Sequence, residues 1–202
     1  KNTHISKINI EYIKPSLKTL IMENTEFSLS PSLLLDKSIK LDKLYLYDCI
    51  INGNIDFTIR ENGMVMIKNM DFTRHQINIE PEKYDNPNNI KIISEVEYKN
   101  VIFNKFPTFK TPTRNPFISH KYCIHNLTYD NCVIQPHNNT KLNKFLFKDT
   151  IVINLIIKNT NECIVIELVG RTIIETLKIE NCVNLLSINI DNTKYRDKYL
   201  IK

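Results

Sequence analysis

Five side chains able to hold a metal fall within 18 residues: His120, Cys123, His125, Cys132 and His137. Zinc needs four nitrogen or sulfur donors converging tetrahedrally. The spacing, His-x2-Cys-x-His-x6-Cys-x4-His, fits no standard zinc module. Apolar alternation turns Ile124 inward, so Cys123 and His125 should point away from the core and Cys132 into it. Packing cysteines and surface histidines are the expectation, with no metal and no cofactor.

Catalytic chemistry finds less support. The chain has no Gly-rich phosphate loop, no Gly-x-Ser-x-Gly and no HExxH. Glycan cleavage would need acids converging on one surface. Glu23, Asp130, Glu180 and Asp191 occupy outward places, and one strand interval separates Glu180 from Asp191, which makes them expected neighbours. The same row carries Lys68, Lys99, Lys148 and Lys158. A solvated face of mixed charge accounts for the row better than an active site, and the chain is not expected to be an enzyme.

Two stretches offer binding chemistry in loops. Residues 80–90 are polar and turn-rich, and residues 105–121 hold three Pro, three Phe and four cations with no acid. Phe106, Phe109, Arg114 and Phe117 could dock a partner or stack on single-stranded nucleic acid. The plainer reading is a surface excursion whose Phe residues lie along the flank of the fold. The net charge of +5 is dispersed, with no basic block, which disfavours nucleic acid as a partner.

The elements that position these residues are written in the composition. Of 202 residues, 32 are Ile and 26 are Asn, and none is Ala, which argues against a helix-dominated fold. Such usage suggests an A/T-rich genome, as in large DNA viruses, phages, endosymbionts or protists. No apolar run approaches 18 residues, so a helical membrane span is not expected. Lys1 to Ile10 lacks the apolar core of a signal peptide. Five cysteines without a pairing pattern suit a reduced compartment, cytoplasmic or intracellular, or a virion. The sequons Asn126-Leu-Thr and Asn138-Asn-Thr leave secretion open.

One pattern recurs between residues 17 and 195: apolar, two variable, apolar, variable, apolar, variable, Asn or Asp, small or thiol, variable, apolar. LDKLYLYDCII (Leu41 to Ile51) and IHNLTYDNCVI (Ile124 to Ile134) are clear copies. The alternating apolar places put one face of a short strand into a core. The Asn or Asp then tolerates left-handed geometry and bends the chain, at Asn24, Asp48, Asn69, Asn100, Asn131, Asp149, Asn159, Asn181 and Asn192. The next residue, such as Thr25, Cys49, Cys132 or Cys182, is small enough to turn back inside. Equivalent places at Met22, Leu46, Ile67, Tyr98 and Tyr129 imply repeats of 21 to 31 residues. From Phe147 through Ile157, Leu168, Ile179 and Ile190 the interval shortens to 10 or 11, as if each repeat held two strands. Such units bury a core only against their neighbours, which is solenoid logic.

The segment Leu41-x-x-Leu44-x-Leu46-x-x-Cys49-x-Ile51 resembles the conserved part of leucine-rich repeats. In that family the ninth place is Asn, Cys or Thr and satisfies loop backbone groups; Cys or Thr holds it in six of eight copies here. The departures are irregular repeat lengths, an Asn one place early and no consensus in the remaining half. The same text also resembles the strand–Asn–strand corners of right-handed parallel β-helices. The expected fold is therefore one all-β or β-dominated solenoid domain over 1–202, leucine-rich-repeat-like or β-helical, with few helices.

The outward place between the two central apolar residues holds Ile21, Tyr45, Met66, Leu146 and Ile156, with Tyr47 two further on. Apolar side chains in a row on one sheet form a patch that binds proteins, unless another part of the chain covers them. The expected function is a non-enzymatic scaffold whose partner is another protein. A structural subunit of a viral or cellular assembly is the first alternative, and a β-helix that binds or cleaves glycans the second.

Overall fold

The computed structural model describes residues 3–5, 17–28, 40–53, 55–81, 91–103, 122–134, 142–148, 150–160, 163–170 and 172–191. Among them there is no helix, and every strand pairing is parallel. The largest sheet runs from β14 (Ile173–Glu180) through β12 (Ile151–Lys158), β9 (Tyr122–Asp130), β8 (Lys91–Phe103), β6 (Ile55–Phe72) and β4 (Lys40–Tyr47) to β2 (Thr19–Glu23). β7 (Ile77–Pro81) adds to β6, and β10 (Val133–Ile134) adds to β8. A second sheet joins β1 (Thr3–Ile5), β3 (Thr25–Ser28) and β5 (Ile50–Asn52); a third joins β11 (Leu142–Lys148), β13 (Cys163–Val169) and β15 (Leu185–Asp191).

The sequence repeat is the register of these sheets. Met22 pairs with Leu46, Leu46 with Ile67, Ile67 with Tyr98, and Tyr98 with Tyr129. Tyr129 then pairs with Ile157 and Ile157 with Ile179, passing over the intervening places. Those intervening places, Phe147, Leu168 and Ile190, pair with one another in the third sheet. The shortened interval therefore marks two strands per repeat, on two different sheets.

The corners follow from backbone sterics. Among the described residues every non-glycine with positive φ is Asn or Asp: Asn24, Asp48, Asn62, Asn69, Asn100, Asn131, Asn159 and Asn181, with φ between 48° and 59°. Left-handed backbone costs most side chains about 1–2 kcal/mol, and Asn and Asp least among those with a Cβ. Seven of these are expected corners, while Asp149 and Asn192 lie outside the described residues. Asn62 was not expected. Gly170, at φ 68°, makes the turn after β13. A gentler bend precedes each central strand: in β9 the consecutive His125 and Asn126 are both exposed between buried Ile124 and Leu127.

Side-chain ladders tie the corners together. Asn100 Nδ2 donates to Asn69 Oδ1 (2.7 Å), and Asn131 Nδ2 donates to Asn100 Oδ1 (2.9 Å). The next rung shifts by one residue, since Asn159 Nδ2 donates to Asp130 Oδ1 (2.7 Å) and Asn181 Nδ2 to Asn159 Oδ1 (3.0 Å). After five of the corners the next residue is a Thr or Cys that turns inward and donates to a carbonyl two places back, whereas Met70 and Val101 fill the same place with apolar side chains alone. Thr25 Oγ1 donates to the Glu23 carbonyl, Cys49 Sγ to that of Tyr47, Cys132 Sγ to that of Asp130 and Cys182 Sγ to that of Glu180. Cys132 and Cys182 also reach the strand before, at the Tyr98 and Ile157 carbonyls. A Cys or Thr fits because it is small, tolerates burial and carries one donor.

The core is continuous from Met22 to Ile174, and in its middle Tyr98 stacks on Tyr129 with ring centroids 5.2 Å apart. Phe103 and Phe145 meet those rings edge-on. The leading apolar place is part of it: Ile93, Ile124, Val152 and Ile174 are buried and lie in register ahead of the bend.

Candidate interaction surface

Because side chains alternate along a strand, the outer face of the largest sheet consists of the residues between its buried ones. Five residues from each of β2, β4 and β6 run level with one another. Three levels of outward side chains result: Thr19, Lys43 and Met64; Ile21, Tyr45 and Met66; Glu23, Tyr47 and Lys68. The middle level is apolar across all three strands. Ile21 is 61% exposed, an unusual figure for an isoleucine in a strand, while Tyr45, Tyr47 and Met66 are half-buried by one another.

Tyr45 and Tyr47 stand on the same face two residues apart, their rings stacked with centroids 6.1 Å apart and planes 14° from parallel. The Tyr47 hydroxyl donates to Met66 Sδ at 3.7 Å, and Lys68 Nζ lies 5.7 Å from the Tyr47 ring centroid. That ammonium rests on the negative face of the ring, a cation–π contact. Partial burial pushes the Tyr47 phenol above its ordinary value, with Lys68 pulling the other way. The phenol is therefore a neutral donor at physiological pH, offering an apolar body and a polar tip.

Beyond β6 the same face changes character. The outward levels continue as Glu95, Asn126, Asn154 and Thr176; Glu97, Thr128, Ile156 and Lys178; Lys99, Asp130, Lys158 and Glu180. Lys68 pairs with Glu97 at 3.6 Å, and Asp130, although outward, is only 6% exposed. It sits between Lys99 (3.8 Å) and Lys158 (3.5 Å) and accepts from Asn159. Asn154 Nδ2 donates to Asn126 Oδ1 at 2.9 Å. Glu97 and Asp130 are thus neutralised locally, and Lys68, Lys99 and Lys158 of the expected lysine row lie on this face, whereas Lys148 ends β11 in the third sheet.

Of the expected site residues, Ile21, Tyr45, Tyr47 and Met66 come together on three adjacent strands. Ile156 shares their face but stands on β12, with β8 and β9 between it and Met66. Leu146 does not belong to the row: it lies on β11 in the third sheet, level with Glu167. The sequence assigned it to the row because its motif copy is intact. The two-strand repeat implied by the short interval already set Leu146 and Ile156 on different strands, and the pairing shows that it is Ile156 whose strand joins β9. The same reason separates Glu180, level with Lys158 in the largest sheet, from Asp191, level with Val169 in the third, so they are not neighbours. Phe106, Phe109, Arg114 and Phe117, with His120 and His137, lie outside the described residues. So do residues 82–90, whereas Glu80 and Pro81 belong to β7.

Among the metal-capable side chains, Cys132 is fully buried and its thiol is pushed up to about 12 by burial, while His125 is exposed. No group of three or more His, Cys, Asp or Glu that could hold a metal occurs among the described residues. Cys123 points outward as expected but is only 8% exposed, because it is small and lies between Ile92 and Ile151. Ile92, Cys123, Ile151 and Ile173 form a second outward aliphatic row, ahead of the bend. Sequence reading missed it, although its signal was present: an apolar or thiol residue immediately precedes the leading apolar place in four copies.

No protein-family model, no curated protein and no solved structure matches this chain. No helix among the described residues is long and apolar enough to cross a membrane.

Proposed function

We propose that this chain is a non-enzymatic protein-interaction scaffold whose parallel strands wind as solenoid coils. The winding is supported by the matching register, by corners that recur at Asn or Asp, and by the inward residue after the corner, a Thr or Cys at five of them and Met70 or Val101 at two more. The coil type it favours is β-helix-like more than leucine-rich-repeat-like. Strands β11, β13 and β15 stand where leucine-rich repeats would carry helices or loops, and amide ladders join the corners. The leading apolar residue, the feature most suggestive of leucine-rich repeats, is accounted for as the last buried residue before a bend.

One observation carries the functional reading: Ile21, Tyr45, Tyr47 and Met66 form an apolar cluster facing outward on three adjacent strands. Methionine supplies contact area that adapts to a partner, and tyrosine is among the residues that dominate binding energy at protein interfaces. Against glycan cleavage stands the pairing of the face's acids, Glu97 with Lys68 and Asp130 with Lys99 and Lys158.

The test is affinity capture from the source cells with wild type and a Tyr45→Ser/Tyr47→Ser variant, with circular dichroism as the folding control. A protein retained by wild type and lost by the folded variant is expected. Equal capture by both would remove this face from the function.

A further inference from the structure

We propose that the β2–β4–β6 patch is a contact between two copies of this chain, related by a two-fold axis running along β4. This rests on the reading of that face as an interface and names its occupant. β4 lies between β2 and β6, and its outward side chains at the middle and last levels are the two tyrosines. Turning a second copy over about an axis parallel to β4 places its β6 over β2, and its β2 over β6, level by level. Ile21 then meets the partner's Met66, and Glu23 meets the partner's Lys68. Tyr45 and Tyr47 meet the partner's Tyr45 and Tyr47.

The argument is charge complementarity. One flank of the tyrosine strand carries an acid and an aliphatic residue, and the other carries a base and two methionines, at matching levels. An isologous contact needs a surface complementary to itself under a half-turn, and this arrangement supplies two equivalent Glu23–Lys68 pairs. In each of them Lys68 is shared with Glu97 of its own chain, 3.6 Å away. Lys43 is the one charged group placed against its own copy; it is exposed at the first level, where its long stem lets the ammonium turn into solvent. The strands of the two sheets would run nearly aligned, the usual packing of sheet on sheet. Three strands of five residues cover about 14 by 17 Å, less than a standard interface of about 800 Å² per partner. The dimer is accordingly a weak one whose population rises with concentration.

Sedimentation velocity on the full chain over a wide concentration range tests it. Wild type is expected to show a concentration-dependent dimer. Glu23→Lys and Lys68→Glu, each alone, set like charges together twice and should weaken association about ten-fold or more. Mixing the two variants in equal amounts restores both opposite-charge pairs and should recover the dimer as a heterodimer. Wild type that stays monomeric up to several hundred micromolar, on the order of the weakest specific contacts, would overturn the proposal. So would a mixture that behaves as the sum of its parts. If wild type is monomeric yet Tyr45→Ser/Tyr47→Ser still loses a captured protein, the self-contact fails and the interface reading stands. If capture is also unchanged, both fail.

Discussion

The two halves of the largest sheet share a buried side and differ on the outer one. Beneath β2, β4 and β6 lie Met22, Leu46 and Ile67; beneath β8, β9 and β12 lie Tyr98, Tyr129 and Ile157, all buried and in one register. Above the first half stand Ile21, Tyr45, Tyr47 and Met66, and above the second stand Glu97, Asp130, Lys99 and Lys158. Stacking strands constrains only what is buried between them and what turns the corners. The outer places are free to diverge, and an apolar cluster in one half is therefore more informative than any feature of the interior that both halves share.

The comparison breaks most visibly if interior positions in the two halves are not equivalent. Cys49→Asp in the first half and Cys132→Asp in the second each place a carboxylate against the carbonyls that the thiol now caps. Each should cost about 3–5 kcal/mol, a large part of a domain's stability. Urea denaturation that found one costly and the other neutral would show that the halves are built differently.

The next largest effect is confined to the first half. A Cβ on Gly63 would lie 2.5 Å from Ile59 Cγ2, 2.8 Å from the Arg60 carbonyl and 2.9 Å from that of Asp42. Two of these are backbone atoms, so Gly63→Ala should destabilise by about 1–3 kcal/mol, read as a lower urea midpoint. An unchanged midpoint would mean that the backbone at the Asn62 corner yields to a Cβ at little cost.

A corner in the second half separates backbone strain from side-chain laddering. Asn100→Ala loses both the tolerated left-handed φ and two amide hydrogen bonds, and should cost about 1–2 kcal/mol. Asn100→Gly keeps the φ and loses only the exposed ladder, so its thermal midpoint should fall less. Equal losses would assign the corner to the ladder and not to φ.

The smallest effect sharpens the outer contrast. Asp130→Asn removes the carboxylate from between Lys99 and Lys158 and should cost about 1 kcal/mol or less, with the difference shrinking as salt rises. Tyr45→Ser/Tyr47→Ser should change stability by no more than this while abolishing binding. If the tyrosine variant instead unfolds, the apolar cluster is core, and the two halves differ in structure, not in function.

Much of the fold was legible in the residues because burial and backbone sterics are local demands. Apolar alternation at Leu44 and Leu46 or Leu127 and Tyr129 marked strands, and Asn100 or Asn131 marked corners, since few other residues accept that φ. Asn62 escaped because it holds the leading place of the copy Asn62 to Phe72, where the pattern expects an apolar residue and not a corner. The candidate surface was legible in part. Tyr45, Tyr47, Ile21 and Met66 follow from position within the motif, whereas Leu146 holds the same position and lies elsewhere.

The sequence by itself determined which side chains face inward, where the chain turns and which residues align, because each depends on neighbours a few positions away. Which strand of each short repeat continues the largest sheet was decided only in three dimensions, since the intervals at Phe147 and Leu168 imply two strands per repeat without saying which of them pairs with β9. Leu146 was separated from Ile156, and Glu180 from Asp191, by that choice. The neutralisation of Asp130 by Lys99, Lys158 and Asn159, from strands 28 to 31 residues apart, was likewise invisible until those strands were side by side. Charge compensation acts across space, and a motif records only what acts along the chain.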